Sequence, residues 1–267
     1  MENFVVSNDG VNIHYSVSGN GRLALVFIHG WLGNEHWWDE QKKYFSKQYT
    51  VVCLELAGHG KSGKNRVDWT SSRYAEDILA VLDIVDADGF ILIGHSMSGA
   101  YALEAASYSN KTSSVVLVDT LKNMDQLMDL DQAEKVLLVN YREDFKNAVE
   151  NMLPKFLFSS STPPVIKERL QKEFLQNDSE LAIRVIEPLY KMDIKNIARR
   201  GRIPVRSINC SYSPTNRESN EKYFQDYNFM EIDNSGHYPM LERPDIFNSI
   251  LERILQSLTS IFAPKVQ

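Results

Sequence analysis

The sequence predicts an α/β protein, a mostly parallel sheet flanked by helices, and three observations carry that prediction. Short, continuously apolar runs recur at Leu23–Ile28, Thr50–Leu56, Phe90–Ile93 and Ser114–Val118. Unbroken apolar runs of this length suit strands buried on both faces, as in a parallel sheet covered by helices. Stretches of helical periodicity separate them, which is the order of strand–helix–strand units. The alternation stops after Asp119 and resumes at Pro204, so the sheet domain is expected to be interrupted by an insertion.

Each element follows from its residues. Phe4-Val5-Val6 and Val11–Tyr15 flank Asn8-Asp9-Gly10, a hairpin signal. Ser18-Gly19-Asn20-Gly21 turns the chain into the first buried strand, which ends in His29-Gly30-Trp31-Leu32-Gly33. An amphipathic helix is expected over 36–47. The strand at 50–56 runs into Gly58-His59-Gly60-Lys61-Ser62-Gly63. A helix over about 71–86 places Ile78, Leu79, Leu82 and Val85 on one face. After the strands at 90 and 114, residues 121–200 hold helical patterns and no convincing strand. They are read as a helical cap, because a plain crossover rarely needs ~80 residues. Ser159–Pro164 breaks its helices. The core then comprises 1–120 and 201–267. It closes with a strand at Pro204–Asn209, a helix near 216–225, a strand at Phe229–Ile232 and a helix near 244–258. That last helix is expected to turn Ile246, Ile250, Leu251, Ile254 and Leu258 inward.

Composition narrows the function classes. The 267 residues carry a net charge of −6, with 43% apolar and 24% charged residues. Nothing in that balance favours nucleic acid or an anionic membrane surface as partner. No ~18-residue apolar run suggests a membrane span, and the first residues do not read as a signal peptide. Cys53 and Cys210 both lie in apolar strand-like runs without metal-ligand spacing, which fits free thiols in a reducing, cytoplasmic setting. The oligomeric state is left open.

The chemistry centres on Phe90–Ala100, where an apolar strand runs through Gly94-His95-Ser96-Met97-Ser98-Gly99 into a helix-like stretch. A sharp strand-to-helix turn around Ser96 would hold its hydroxyl above the carboxyl edge of the sheet, as in a nucleophile elbow. The elbow pattern asks for glycine at the last position, and Ser98 stands there; serine is small enough for the turn to survive. Of six histidines, His237 is the expected general base. It sits in a polar loop after a strand, and loops at the carboxyl end of a parallel sheet converge. His29 and His59 lie in glycine-rich turns and read as hydrogen-bond braces, and His95 as pocket wall. The backbone N–H groups of Met97 and Trp31 are the expected donors to an oxyanion. Gly58–Gly63 fits a glycine-rich fingerprint but does not open into a helix, so nucleotide binding is set aside.

Together, His29-Gly30, Gly58-His59-Gly60-Lys61-Ser62, the elbow at Ser96 and Gly236-His237 resemble the α/β-hydrolase superfamily over nearly the whole chain. The resemblance implies an eight-stranded, mostly parallel sheet, a helical lid, Ser96 as nucleophile and His237 as base. Most relatives carry the third member, an acid, in the loop that here reads Cys210–Thr215, where Ser213 stands in the acid's position. A minority carry it at the end of the preceding strand, which matches Asp119; Glu218 is the other candidate. A serine nucleophile, where dehalogenases and epoxide hydrolases of this fold use aspartate, implies acyl transfer without metal or organic cofactor. With Trp31, Trp37 and Trp38 expected near the entrance, a small, mostly uncharged ester is the first choice of substrate. Lactone, thioester and carbon–carbon hydrolysis fit the same residues, as does a ligand sensor with a slow triad.

Overall fold

The structure, a computed structural model, describes residues 2–262. Eight strands form one sheet: β1 (Glu2–Val6), β2 (Asn12–Ser18), β3 (Leu23–Ile28), β4 (Thr50–Leu54), β5 (Gly89–His95), β6 (Thr112–Val118), β7 (Val205–Cys210) and β8 (Tyr227–Ile232). Their spatial order is β1-β2-β4-β3-β5-β6-β7-β8. β1 and β2 pair antiparallel, as the Asn8-Asp9-Gly10 turn predicts, and β2 meets β4 antiparallel. All other pairings are parallel. The continuous apolar runs are explained by burial: β4 and the Ala24–Ile28 stretch of β3 are buried throughout, being covered on both faces.

Helices α1 (Asp39–Phe45), α2 (Ser71–Ile84) and α3 (Met97–Tyr108) connect the strands. Thr70 caps α2 by accepting from the Arg73 N–H, and Tyr74, Ala75, Ile78, Val81 and Leu82 form its buried face. Between β6 and β7 the chain is helical, with no strand. Short turns run from Met124 to Leu157, followed by α4 (Pro164–Leu175), α5 (Ser179–Tyr190) and α6 (Ile194–Arg200). The break at 159–164 separates the short turns from α4.

Three expectations need correction. The helix expected over 216–225 is only Arg217–Glu221, capped by the Asn216 side chain. In the closing helix α7 (Pro244–Phe262), Ile246 is exposed and Phe247 takes the inner position, packed against Trp38. Trp37 and Trp38 do not stand at an entrance. They lie on a tight turn, Glu35–Trp38, that aims both rings into the core, Trp38 against Phe27 and Phe247. A large ring gains more by this burial than by lining a wet rim. Cys53 and Cys210 are buried free thiols, and burial raises the pKa of both. No described helix is long and apolar enough to cross a membrane.

Candidate active site

The parallel strands deliver the site. Ser96 follows β5 directly and begins α3, with φ 55° and ψ −122°. That conformation is strained for a residue with a side chain, and small neighbours permit it. A Cβ on Gly94 would come within 2.6 Å of the Ser98 carbonyl oxygen and 2.8 Å of Gly99. Ser98 is accommodated because its Oγ lies 2.8 Å from the Ile28 carbonyl oxygen and 2.9 Å from that of His95. The positive-φ non-glycine residues among those described are Leu32, Ser96, Asp119, Leu121 and Asn234. Each lies just beyond the carboxyl end of β3, β5, β6 or β8.

Asp119 follows β6, the strand beside β5, with φ 48°. His237 Nδ1–H donates to its Oδ2 at 2.7 Å, which leaves Nε2 as the ring's free lone pair. Oδ1 accepts from the Cys210 N–H at 2.8 Å and sits 2.7 Å from Lys122 Nζ, and the Tyr212 hydroxyl donates to Oδ2 at 3.0 Å. Burial works to raise Asp119, but the His237 hydrogen bond and the charges of His237 and Lys122 outweigh it and hold the carboxyl at about 2. The carboxylate is thus ionised at neutral pH. Glu218, the other candidate acid, lines a neighbouring open groove of about 830 Å³ that Lys122 and Ser213 share.

His237 is fixed from three sides. Its N–H donates to the Leu157 carbonyl in the helical segment. The Glu242 carboxylate accepts from the flanking Gly236 and Tyr238 N–H groups. The His237 carbonyl accepts from His95 Nε2–H at 2.8 Å. Burial lowers the pKa of His95 to about 3, so its ring is neutral. The His29 and His59 rings meet tilted, with centroids 4.9 Å apart, and brace the loops after β3 and β4. His29 Nε2 accepts from the Leu56 N–H, and burial lowers the two rings to about 4 and about 3.

The loop after β3 presses on the elbow. A Cβ on Gly30 would lie 2.6 Å from His95 Nδ1, so only glycine allows this approach. Trp31 follows, its ring stacked on Tyr141 and its indole N–H donating to the Ala182 carbonyl at 2.8 Å. Met97 N–H opens α3 behind Ser96, among the N–H groups that a helix leaves without an internal partner. Ser96, His237 and Trp31 line one cavity of about 220 Å³ with Leu137, Tyr141, Leu157, Ile186, Leu189 and Tyr190. No Asp, Glu, Lys or Arg side chain lines it among the described residues.

One buried trio could offer metal-ligand atoms: His14, Glu35 and Glu55, all within 4.8 Å of one another. Lys42 and Lys61 lie 3.7 and 3.6 Å from Glu35, so that carboxylate already faces cations of the chain, and Glu55 accepts from the Glu35 and Lys61 N–H groups. The residues that sequence reasoning missed are Lys122, Tyr212 and Glu242. Their spacing to Asp119 and His237 carries no motif, and only the basic residue three positions after Asp119 was a signal.

The Alpha/beta hydrolase family profile matches residues 25–250. The chain is 23% identical to 3-oxoadipate enol-lactonase 2 of Acinetobacter baylyi over 257 residues, covering 92% of this chain and 94% of the relative. It is 23% identical to the Karrikin insensitive 2 receptor IA of Petunia hybrida over 272 residues, 94% of this chain and 97% of the receptor. Among solved structures, an esterase from Exiguobacterium antarcticum superposes with a TM-score of 0.83 at 18% identity, covering 96% of this chain and all of that one. With an eight-stranded, mostly parallel sheet, a strained serine after β5 and a profile match over most of its length, the chain belongs to the alpha/beta hydrolase family.

Proposed function

We propose that the chain is a serine hydrolase acting on a small, mostly uncharged ester through an acyl-enzyme on Ser96. The observation that carries this reading is that His237, hydrogen-bonded to the buried Asp119, lines the same apolar cavity as Ser96. In this reading, 1–120 and 201–267 are the catalytic core and 121–200 the cap that walls the cavity. His237 Nε2 takes the Ser96 hydroxyl proton as Oγ attacks the carbonyl carbon. The Trp31 and Met97 N–H groups hold the resulting oxyanion. His237 then returns the proton to the departing alcohol, and a water activated by the same ring releases the acid. Asp119 keeps Nδ1 protonated and stabilises the imidazolium between the two proton transfers. The lining, without ionised side chains, favours an uncharged acyl group.

The names of the enol-lactonase and esterase relatives support ester or lactone hydrolysis. Likeness to the petunia receptor favours a second reading, a ligand sensor that retains slow hydrolysis. Turnover of p-nitrophenyl acetate by wild type and Ser96→Ala separates them. An enzyme turns over steadily, and Ser96→Ala is inactive. A sensor releases one equivalent of p-nitrophenol in a burst and then stalls. Wild type no faster than Ser96→Ala, without a burst, removes both.

A further inference from the structure

Asp119 is an unusual acid in having a lysine on its far side. Lys122 Nζ sits 2.7 Å from Asp119 Oδ1 and donates to the carbonyls of Cys210 at 2.8 Å and Ser213 at 3.3 Å. Its amine lies 4.4 Å from the centroid of the Tyr212 ring, and its side chain is only 11% exposed. The loop it grips, 210–215, is the one where an acid was expected and Ser213 stands. Tyr212 of that loop donates to Asp119 Oδ2, the oxygen that also accepts from His237. The Asn216 N–H donates to the Lys122 carbonyl, so the backbone of the lysine is fixed to the same loop.

We infer that Lys122, with Tyr212 as its partner, is a positioning residue that ties the acid-free loop to Asp119 and sets how strongly Asp119 holds the proton of His237. The inference rests on the proposed role of His237 as base. A carboxylate flanked by an ammonium on one oxygen and two donors on the other shares its charge between them. The imidazolium receives less of that charge, so the ring gives up its proton at lower pH than it would against an unaccompanied aspartate. The other titratable groups around His237 and its Asp119 partner are His95 from β5, Cys210 at the end of β7, Tyr212 from the loop after it, and Tyr238 and Glu242 from the segment after β8. Glu173 of α4 stands behind Tyr238. Lys122 is the cation among them. Lys122 Nζ and His237 Nδ1 each lie 2.7 Å from one oxygen of the same carboxylate. A cation acting on the ring across that one shared carboxylate corresponds to a shift on the order of one pH unit.

The test uses the full chain with Lys122→Gln, Lys122→Met, Lys122→Arg and Tyr212→Phe. Gln keeps amide donors for the carbonyls of Cys210 and Ser213 but removes the charge; Arg keeps the charge. Two readouts are taken: the pH profile of kcat/KM on p-nitrophenyl acetate, and a carbon-13 NMR titration of the His237 ring. Relative to wild type, Lys122→Gln moves the acid limb and the ring's midpoint up by about one unit, roughly tenfold in rate on the low-pH side. Lys122→Arg restores both to near the wild-type position, and Tyr212→Phe moves them up by a smaller step. If Lys122→Met does not fold, the Gln variant carries the comparison. If neither folds, Tyr212→Phe does. A folded Lys122→Gln or Tyr212→Phe protein whose ring titrates as in wild type overturns the inference. An inactive wild type whose His237 midpoint still moves in Lys122→Gln refutes the proposed hydrolysis and leaves the lysine's role standing.

Discussion

Replacing Asp119 with asparagine tests the site at its most informative atom. The amide is nearly isosteric with the carboxylate, so its oxygen can keep the Cys210 N–H and the Lys122 amine. The amide nitrogen then occupies the place of Oδ2, where His237 Nδ1–H and the Tyr212 hydroxyl now donate. A donor faces two donors. The ring escapes by moving its proton to Nε2, the nitrogen that accepts from Ser96 in the proposed mechanism. Loss of the required tautomer in a triad costs about 10⁴ in kcat, or about 5.4 kcal/mol of transition-state stabilisation. KM should change little, because Asp119 does not line the cavity. The assay is p-nitrophenyl acetate turnover at pH 7–8, with Ser96→Ala as the floor. Asp119→Asn activity within tenfold of wild type, while Ser96→Ala is inactive, would refute the reasoning and move the orienting acid elsewhere.

Other outcomes follow from the same geometry. Gly30→Ala would drive a methyl to 2.6 Å from His95 Nδ1. It should reduce kcat at least tenfold by shifting the Trp31 N–H, and full activity would remove Trp31 from the oxyanion site. Arg66 is buried and forks onto Asp77 at 2.9 and 2.6 Å while also reaching Asp9. Arg66→Met should cost about 3–5 kcal/mol in urea melts by leaving Asp77 unpaired, and adding Asp77→Leu should recover most of it. Asp119, held at about 2 against an ordinary 3.8, contributes about 2 kcal/mol. Because its folded value is depressed, that stability is complete above about pH 5 and is lost as pH falls through 3.8 toward 2. Asp119→Asn should therefore flatten this part of the acid-unfolding curve. His29, His59 and His95 are held neutral at about 4, 3 and 3. Below 6.5 the unfolded chain takes up protons that the folded chain refuses, so stability falls with pH. Those three groups together remove about 4 kcal/mol between pH 7 and 5.5. Melts with no loss across that window would show that these rings are charged when folded.

The strands were legible because burial on two faces leaves no room for alternation. β3, β4, β5 and β6 announce themselves as unbroken apolar runs, and the hairpin is set by Asn8-Asp9-Gly10. Amphipathic faces were less sharp. Ile246 and Phe247 both satisfy a helical stripe, and only the position of Trp38 selects the phenylalanine. Trp37 and Trp38 looked like rim residues by their place in the chain, yet the tight turn that carries them rotates both rings inward. At the site, the strain around Ser96 and the approach of Gly30 were readable from small residues next to strand ends. The surroundings of Asp119 were not. Cys210 and Tyr212 reach it across 91 and 93 positions, and no local pattern encodes which polar group a carboxylate meets at that distance.

The left-handed residues beyond the strand ends have a consequence for heat resistance. Leu32, Ser96, Asp119, Leu121 and Asn234 each carry on the order of 1–2 kcal/mol of backbone tension. Together that rivals the roughly 5–15 kcal/mol that separates a folded domain from its unfolded chain. The tension is gathered along a single rim, while the opposite rim is relaxed. Hardening mutations should therefore be sought on the relaxed rim. Glycine at the tense positions would slacken the rim and free the very atoms it holds still.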